Sequence, residues 1–312
     1  MRVLKATEGE ILNLAFSPDG RAVAAAIAYC GVFLWNLEAA TPTPVRLCVG
    51  QEKYLDRRSG LTFSPDGRSL TWLSLGARWV YNRDARNLTE ESFAVTRRTH
   101  GVAHNTTGQR VVSQHGPPDH FLIGWRPADG EWIQSWKLST ADLSAESMTL
   151  SADGEHFAML TRSALGNRWW DHPMRLEVRD AATATIRLTA EYPSNHPARL
   201  LFSPDAGQLV GFKDMTLLVW TLTENAGILA APRFVRNDTR KHFTATAFHP
   251  NCRQLFATSN DTTVHVFDTR TWARSGQFTW RLGRLKAITV SPDGTLAAAG
   301  GDKGDIVIWD ID

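Results

Sequence analysis

Closely spaced histidines are the first place to look for metal chemistry, and the tightest pairs in this chain are His100 with His104 and His115 with His120. In an extended strand, residues four apart share a face yet stand about 13 Å from each other, too far to hold one zinc ion. The run His115-Gly116-Pro117-Pro118-Asp119-His120 reads as a turn-like loop that could draw its ends together. Two histidines and an aspartate from a single hairpin still make a poor ligand set, so no metal site is expected. Nucleophile and phosphate motifs are missing as well: there is no Gly-x-Ser-x-Gly elbow, no His-Glu-x-x-His and no phosphate-binding Gly-x-x-x-x-Gly-Lys-Ser/Thr. The nearest imitation, Gly300-Gly301-Asp302-Lys303-Gly304, precedes a strand pattern and reads as a hairpin turn. The sequence therefore gives no catalytic residue, no cofactor-binding residue and no metal ligand, and the chain is expected not to be an enzyme and to use no cofactor.

Composition narrows the classes further. The chain has 312 residues, 43% hydrophobic and 21% charged, which is globular and long enough to bury a large core. A formal net charge of +2 argues against a general nucleic-acid binder, so any basic patch must be local. Cys30, Cys48 and Cys252 are odd in number and form no Cys-x-x-Cys pair, which speaks against a disulfide framework. Neither an apolar run of signal-peptide length nor a window near the roughly 20 residues of a membrane span is present, and a cytoplasmic location is expected.

The elements that would position any site are set by a repeat. One phrase recurs: an alternating apolar stretch, a tight turn, a second apolar stretch, then a large aromatic near an acidic residue. Its clearest turns are Ser17-Pro18-Asp19-Gly20, Ser64-Pro65-Asp66-Gly67, Ser151-Ala152-Asp153-Gly154, Ser203-Pro204-Asp205-Ala206-Gly207 and Ser291-Pro292-Asp293-Gly294. Weaker versions stand at Asn105-Thr106-Thr107-Gly108 and His249-Pro250-Asn251-Cys252. Marked from Asp19 through Thr107 and Asn251 to Asp293, the spacings are 47, 41, 46, 52, 46 and 42 residues. That period is close to the ~40–45 residues of a four-stranded propeller blade, and seven markers imply seven blades. Proline presets φ, aspartate bonds nearby backbone N–H groups and glycine accepts positive φ, so each turn can join two strands tightly.

Runs such as Ile11–Phe16, broken only by Asn13, and Ala22–Ile27 are almost continuously apolar, as expected of strands buried on both faces. Third strands end on large side chains, among them Trp35, Tyr81, Trp125, Trp220, Phe267 and Trp309, whose expected role is packing between blades. Fourth strands are less regular, with Ser92–Val95 and Gln277–Trp280 as candidates. The last repeat runs out after three strands, and Arg2-Val3-Leu4-Lys5-Ala6 alternates as an outer strand should. It is expected to supply the missing strand and cover an edge that would invite aggregation.

Trp309-Asp310 with its preceding strand, and the Phe267-Asp268 variant, resemble WD40 repeats, and the resemblance runs over nearly the whole chain. Asp261-Thr262-Thr263 and Asp214-Met215-Thr216 match the family's aspartate spacing, six residues before Phe267 and Trp220. The Gly-His dipeptide of that family is absent, and Tyr29, Leu75 and Lys303 stand where three blades should carry the aspartate. The family's hydrogen-bond tetrad is therefore expected to be mostly missing, leaving apolar packing and turns to hold the blades. The resemblance implies an all-β fold, a single seven-bladed β-propeller of four-stranded antiparallel blades covering 1–312. Blades are expected at roughly 8–50, 51–96, 97–140, 141–191, 192–238, 239–282 and 283–312 with 1–7.

What the resemblance implies of function is an interaction or scaffolding module whose loops recognise another protein. The alternative is a propeller enzyme or small-ligand binder using the mouth of the channel. Its most distinctive feature would be the long loop Ser163–His172, with the paired Trp169 and Trp170 as a stacking platform or anchor, or else folded over a neighbouring blade. Loops between the outer strand of one blade and the inner strand of the next should share one face. Those before blades 2, 3, 6 and 7 carry Arg57 and Arg58, Arg97 and Arg98, Arg240 and Lys241, and Arg281, Arg284 and Lys286. Those before blades 1, 4 and 5 carry Glu8 and Glu10, Asp142 and Glu146, and Glu191. Arginine suits bidentate contact with carboxylates, so the expected partner is an acidic protein segment, ahead of nucleic acid and with no membrane role. Solvated loop charges without a partner are the plain alternative.

Overall fold

A computed structural model describes residues 1–47, 55, 60–74, 77–91, 99–104, 110–115, 119–125, 133–139, 143–163, 172–193, 199–223 and 227–311. Its strands form seven four-stranded antiparallel sheets. Strand β1 (Arg2–Lys5) is set apart from its neighbours in sequence. The first sheet holds β2 (Ile11–Phe16), β3 (Ala22–Ile27), β4 (Gly31–Asn36) and β5 (Val45–Arg46). The second holds β6 (Thr62–Phe63), β7 (Ser69–Ser74), β8 (Ala77–Asn82) and β9 (Asn87–Glu91). The third holds β10 (Thr99–His104), β11 (Arg110–His115), β12 (Asp119–Trp125) and β13 (Ile133–Ser139). The fourth holds β14 (Leu143–Leu150), β15 (His156–Ser163), β16 (Met174–Asp180) and β17 (Ile186–Tyr192). The fifth holds β18 (Leu200–Phe202), β19 (Gln208–Lys213), β20 (Thr216–Thr221) and β21 (Arg233–Arg236). The sixth holds β22 (Phe243–Phe248), β23 (Gln254–Ser259), β24 (Thr263–Asp268) and β25 (Arg274–Thr279). The seventh holds β26 (Leu285–Val290), β27 (Leu296–Gly301) and β28 (Asp305–Asp310), with β1 as its fourth strand.

The chain divides into two compact units: residues 1–96 with 238–312 carry the first, second, sixth and seventh sheets, and 97–237 carries the rest. In the first unit the core lies between consecutive sheets. Ile11, Val23, Trp35 and Phe16 pack with Ala287, Ala298 and Ile308 between the first and seventh sheets, and Phe256 and Val264 pack with Ile288, Val307 and Trp309 between the sixth and seventh. In the second unit Leu160, Leu176 and Leu188 pack with Leu209, Leu218 and Trp220 between the fourth and fifth sheets. β3 is buried at all six positions, as its run of small and branched residues foretold.

The recurring turn joins the first two strands of a sheet by a shared hydrogen-bond pattern. Ser17 Oγ donates to Asp19 Oδ1 at 2.5 Å and accepts the Ala22 N–H at 2.9 Å, while the same carboxylate accepts Arg21 N–H at 3.0 Å. The pattern repeats at Ser64, Ser151, Ser203 and Ser291. In the sixth sheet His249 takes the serine's place: its Nδ1 accepts Asn251 N–H at 3.1 Å, which leaves Nε2 to donate to Gly294 O of the next sheet's turn at 3.0 Å. The serine hydroxyls hold Asp19, Asp66 and Asp293 below the usual carboxylate range. At Asp153 partial burial pulls the other way, and the bonds from Ser151 and Glu155 outweigh it.

Ring closure follows the expected route. β1 pairs antiparallel with β28, Val3 opposite Val307 and Leu4 opposite Ile306, and Leu4 is buried in the core. The fourth strand of the second sheet is a correction: it runs over Asn87–Glu91, earlier than the expected Ser92–Val95, which lies outside the described residues. An outer strand with one wet face follows its hairpin turn (Asn82 opposite Asn87) more closely than an apolar pattern. In the sixth sheet the fourth strand starts at Arg274, three residues before the expected start.

The tryptophans pack as expected, with Trp35, Trp220 and Trp309 buried. Their indole N–H groups find no hydrogen-bond partner, which is what absence of the tetrad means physically. In the sixth sheet a remnant persists: Thr244 Oγ1 lies 2.8 Å from Thr258 Oγ1 and donates to Leu285 O of the next sheet at 2.9 Å.

Three outcomes are expected. Deleting residues 1–7 strips a strand and exposes the β28 edge; the loss of Leu4 alone is worth about 2–5 kcal/mol, or ~10 °C in Tm at this size, measurable by calorimetry. Trp309→Phe removes an unsatisfied donor and costs under ~1.5 kcal/mol in urea unfolding, against about 3–5 for Trp309→Ala. Because the turn aspartates have lowered pKa values in the fold, the stability they add is present above their unfolded value of 3.8 and is lost as pH falls below it; Asp293→Asn should flatten that decline.

Candidate functional site

Connections in a four-stranded meander alternate ends, so the serine turns leave one end of each sheet and the loops between sheets leave the other. At that second end of the first unit, hydrogen bonds stitch the loops of the sixth, seventh and first sheets into one rim. Asn260 N–H donates to His242 O at 2.8 Å, binding the β23–β24 turn to the loop before β22. Leu285 N–H donates to Asp261 O at 2.9 Å, carrying the connection to the next sheet. The β27–β28 turn follows: Asp302 N–H donates to Arg284 O at 3.0 Å, and Asp302 Oδ1 accepts Arg284 N–H at 3.0 Å. Gly304, with φ near +81°, then lies so close to the Thr7 carbonyl that a Cβ would collide with it. The rim ends at the β3–β4 turn, where Ala28 N–H donates to Glu10 O and Cys30 Sγ to Glu8 O.

This stitching decides the electrostatics. The carboxylate of Asp261 caps Thr263 N–H at 2.9 Å and that of Asp302 caps Arg284 N–H, so both face inward to backbone. Arg240, Lys241, Arg281, Arg284 and Lys303 are exposed. Among the described residues no carboxylate lies within ion-pair distance of Arg240, Arg281, Arg284 or Lys303. Asp238 is spoken for by Arg274 at 2.8 Å. Exposed Glu8 marks the acidic end of the arc. Beyond it Tyr29 is 78% exposed at a φ of 60°, a left-handed conformation uncommon for so bulky a residue. Arg240 shares that conformation, with φ 59°.

Of the side chains expected to bind a partner, Arg240, Lys241, Arg281 and Arg284 are thus gathered on one rim. Arg57, Arg58, Arg97, Arg98, Trp169 and Trp170 lie outside the described residues. Tyr29 and Lys303 were missed as surface features, although both carried a signal: each replaces the aspartate that the resemblance led one to expect at a turn tip. The His100–His104 and His115–His120 pairs fall on β10, β11 and β12, whose side chains lie outside the description. Among the described residues no group of three or more His, Cys, Asp or Glu is arranged to hold a metal.

Beneath the rim, β24 carries a histidine where the surface offers it nothing. His265 is fully buried, edge-on to Phe243 and beside Phe267, and neither ring nitrogen has a hydrogen-bond partner. Burial lowers its pKa, and Arg274 adds to that against the opposing charges of Asp261 and Asp238.

A β-propeller is the class this architecture defines. The WD40 profile, described as WD domain, G-beta repeat, matches residues 236–268 and 278–310, the stretches that build most of the sixth and seventh sheets. Among solved structures, the β-propeller domain of Cps50 (Swd1) from Myceliophteria thermophila superposes with a TM-score of 0.76 at 15% identity, over 100% of this chain and 99% of that one. No curated protein matches the sequence. The chain therefore has a β-propeller fold of seven four-stranded blades, the last completed by β1, and its sixth and seventh blades match the WD40 repeat.

A buried neutral histidine makes the blade that carries Arg240 and Lys241 acid-sensitive. Since folding lowers the His265 pKa, the unfolded chain binds the proton first, and stability falls as pH drops below about 6.5. Replacing His265 with Leu should remove that slope between pH 7 and 5 in denaturant titrations; an unchanged slope would show that another group sets it.

Proposed function

We propose that this propeller is a non-catalytic interaction module that holds an acidic segment of a partner protein along the rim of its sixth, seventh and first blades. WD40 propellers are in general protein–protein interaction scaffolds. The observation that carries the finer reading is the unpaired state of Arg240, Arg281, Arg284 and Lys303 beside carboxylates already committed to backbone caps. A chain of net charge +2 gains local attraction for an anionic ligand there without becoming a general polyanion binder. Arginine contributes paired donors that match a carboxylate, and Tyr29 offers an exposed aromatic at the first blade's end of the rim. A reduced, cytoplasmic setting fits the free Cys30 and Cys252.

The test uses a labelled deca-glutamate peptide. Exposed charges are screened over about 8 Å at physiological salt, so affinity should fall at least tenfold between 50 and 300 mM NaCl. The variant Arg240→Glu/Arg281→Glu/Arg284→Glu should lose binding while keeping the wild-type Tm. Undiminished binding by that folded variant would overturn the proposal, as would tighter binding of a single-stranded oligonucleotide than of the peptide.

A further inference from the structure

The second unit displays a sheet edge built unlike the others described. In the fourth blade the outer strand β17 already accepts an added segment: Thr189 N–H donates to Gly227 O at 3.0 Å and Leu229 N–H to Thr189 O at 2.9 Å, giving a parallel bridge between Thr189 and Ile228. The connector between β20 and β21 thus covers that edge. Among the described residues, the outer strand of the fifth blade, β21, has no such cover.

Register shows which of its groups face outward. Asn237 N–H donates inward to Met215 O at 2.7 Å, and β21 continues the pairing without a shift, Val235 opposite Leu217 and Arg233 opposite Val219. Since backbone direction alternates along a strand, Val235 and Arg233 bond to β20 while Phe234 and Arg236 turn their N–H and C=O groups outward. Neither meets a partner among the described residues. Side chains frame this edge. Phe234 is 57% exposed and stands opposite Leu218, so it lies on the face whose buried members include Leu188, Leu218 and Leu229. It extends that apolar face to the outer edge of the sheet. Exposed Arg233 and Arg236 flank it, and neither has an ion-pair partner among the described residues.

We infer that β21 is a docking edge for an extended acidic segment of a partner protein, which adds as a fifth strand to the fifth blade. Backbone bonds go to Phe234 and Arg236, an apolar side chain of the partner covers Phe234, and its carboxylates meet Arg233 and Arg236. Arginines at an edge also discourage indiscriminate strand pairing, so an incoming strand must bring negative charge to dock. This surface is independent of the rim in the first unit.

The probe is a fluorescein-labelled octapeptide of alternating glutamate and valine, with a second version N-methylated at every other residue. On binding the unmethylated peptide, the amides of Phe234 and Arg236 should gain at least tenfold hydrogen-exchange protection by NMR while Val235 changes little. Methylation should weaken binding at least tenfold, and so should Arg233→Glu/Arg236→Glu at unchanged Tm. The rim variant Arg281→Glu/Arg284→Glu should keep the protection at Phe234 and Arg236, even where it abolishes deca-glutamate binding. Equal binding of the methylated peptide, or loss of protection in the rim variant alone, would overturn the docking edge while leaving the rim proposal standing.

Discussion

A serine hydroxyl that both accepts a backbone N–H and donates to an aspartate sets the register on which the rest depends. Ser17, Ser64, Ser151, Ser203 and Ser291 each fix where the second strand of a sheet begins relative to the first. A slip of one residue there would turn every side chain of the second strand to the other face. Fully buried strands such as β3 could not tolerate the same slip without repacking against both neighbouring sheets. Register set at one end also decides what emerges at the other, so the rim of Arg240, Arg281, Arg284 and Lys303 is positioned by turns that never touch it.

Blade-to-blade cohesion here is mostly apolar. Among the described residues the buried indole N–H groups of Trp35, Trp220 and Trp309 go without acceptors, yet Trp280, Phe278 and Trp309 pack with ring centroids 4.5–5.7 Å apart between the sixth and seventh sheets. The sixth blade differs, since Thr244, paired with Thr258, reaches the backbone of the seventh and His249 bonds to Gly294. It is also the blade that buries His265. Polar cohesion and acid sensitivity therefore fall on the same element, below the same basic loops.

Much of this was legible in the sequence because it is local. The serine turns, the aromatic ends of the third strands and the alternating Arg2–Lys5 segment each announce themselves within a few residues, and the structure pairs them as the pattern implies. What escaped is what depends on distant chain. The outer strand at Asn87–Glu91 is chosen by its hairpin with β8, and its polar sequence gives no periodic sign. The addition of Gly227–Leu229 to β17 joins residues about forty apart, and no motif marks it. The rim was half legible: its cations could be counted, but that Asp261 and Asp302 would spend their charge on backbone caps could be seen only once the turns were in place.

The pairing of β1 with β28 has a bearing on how the chain is made. Arg2–Lys5 leaves the ribosome about three hundred residues before its partners Asp305–Ile308. Every other sheet is built from consecutive strands and can form as it emerges, whereas the seventh waits until β28 has emerged. Until then β1 is an unclaimed edge segment with Leu4 uncovered, a natural client for a chaperone that shields nascent chains. The latch that makes the finished molecule cooperative is, for the growing one, its longest-lived exposure.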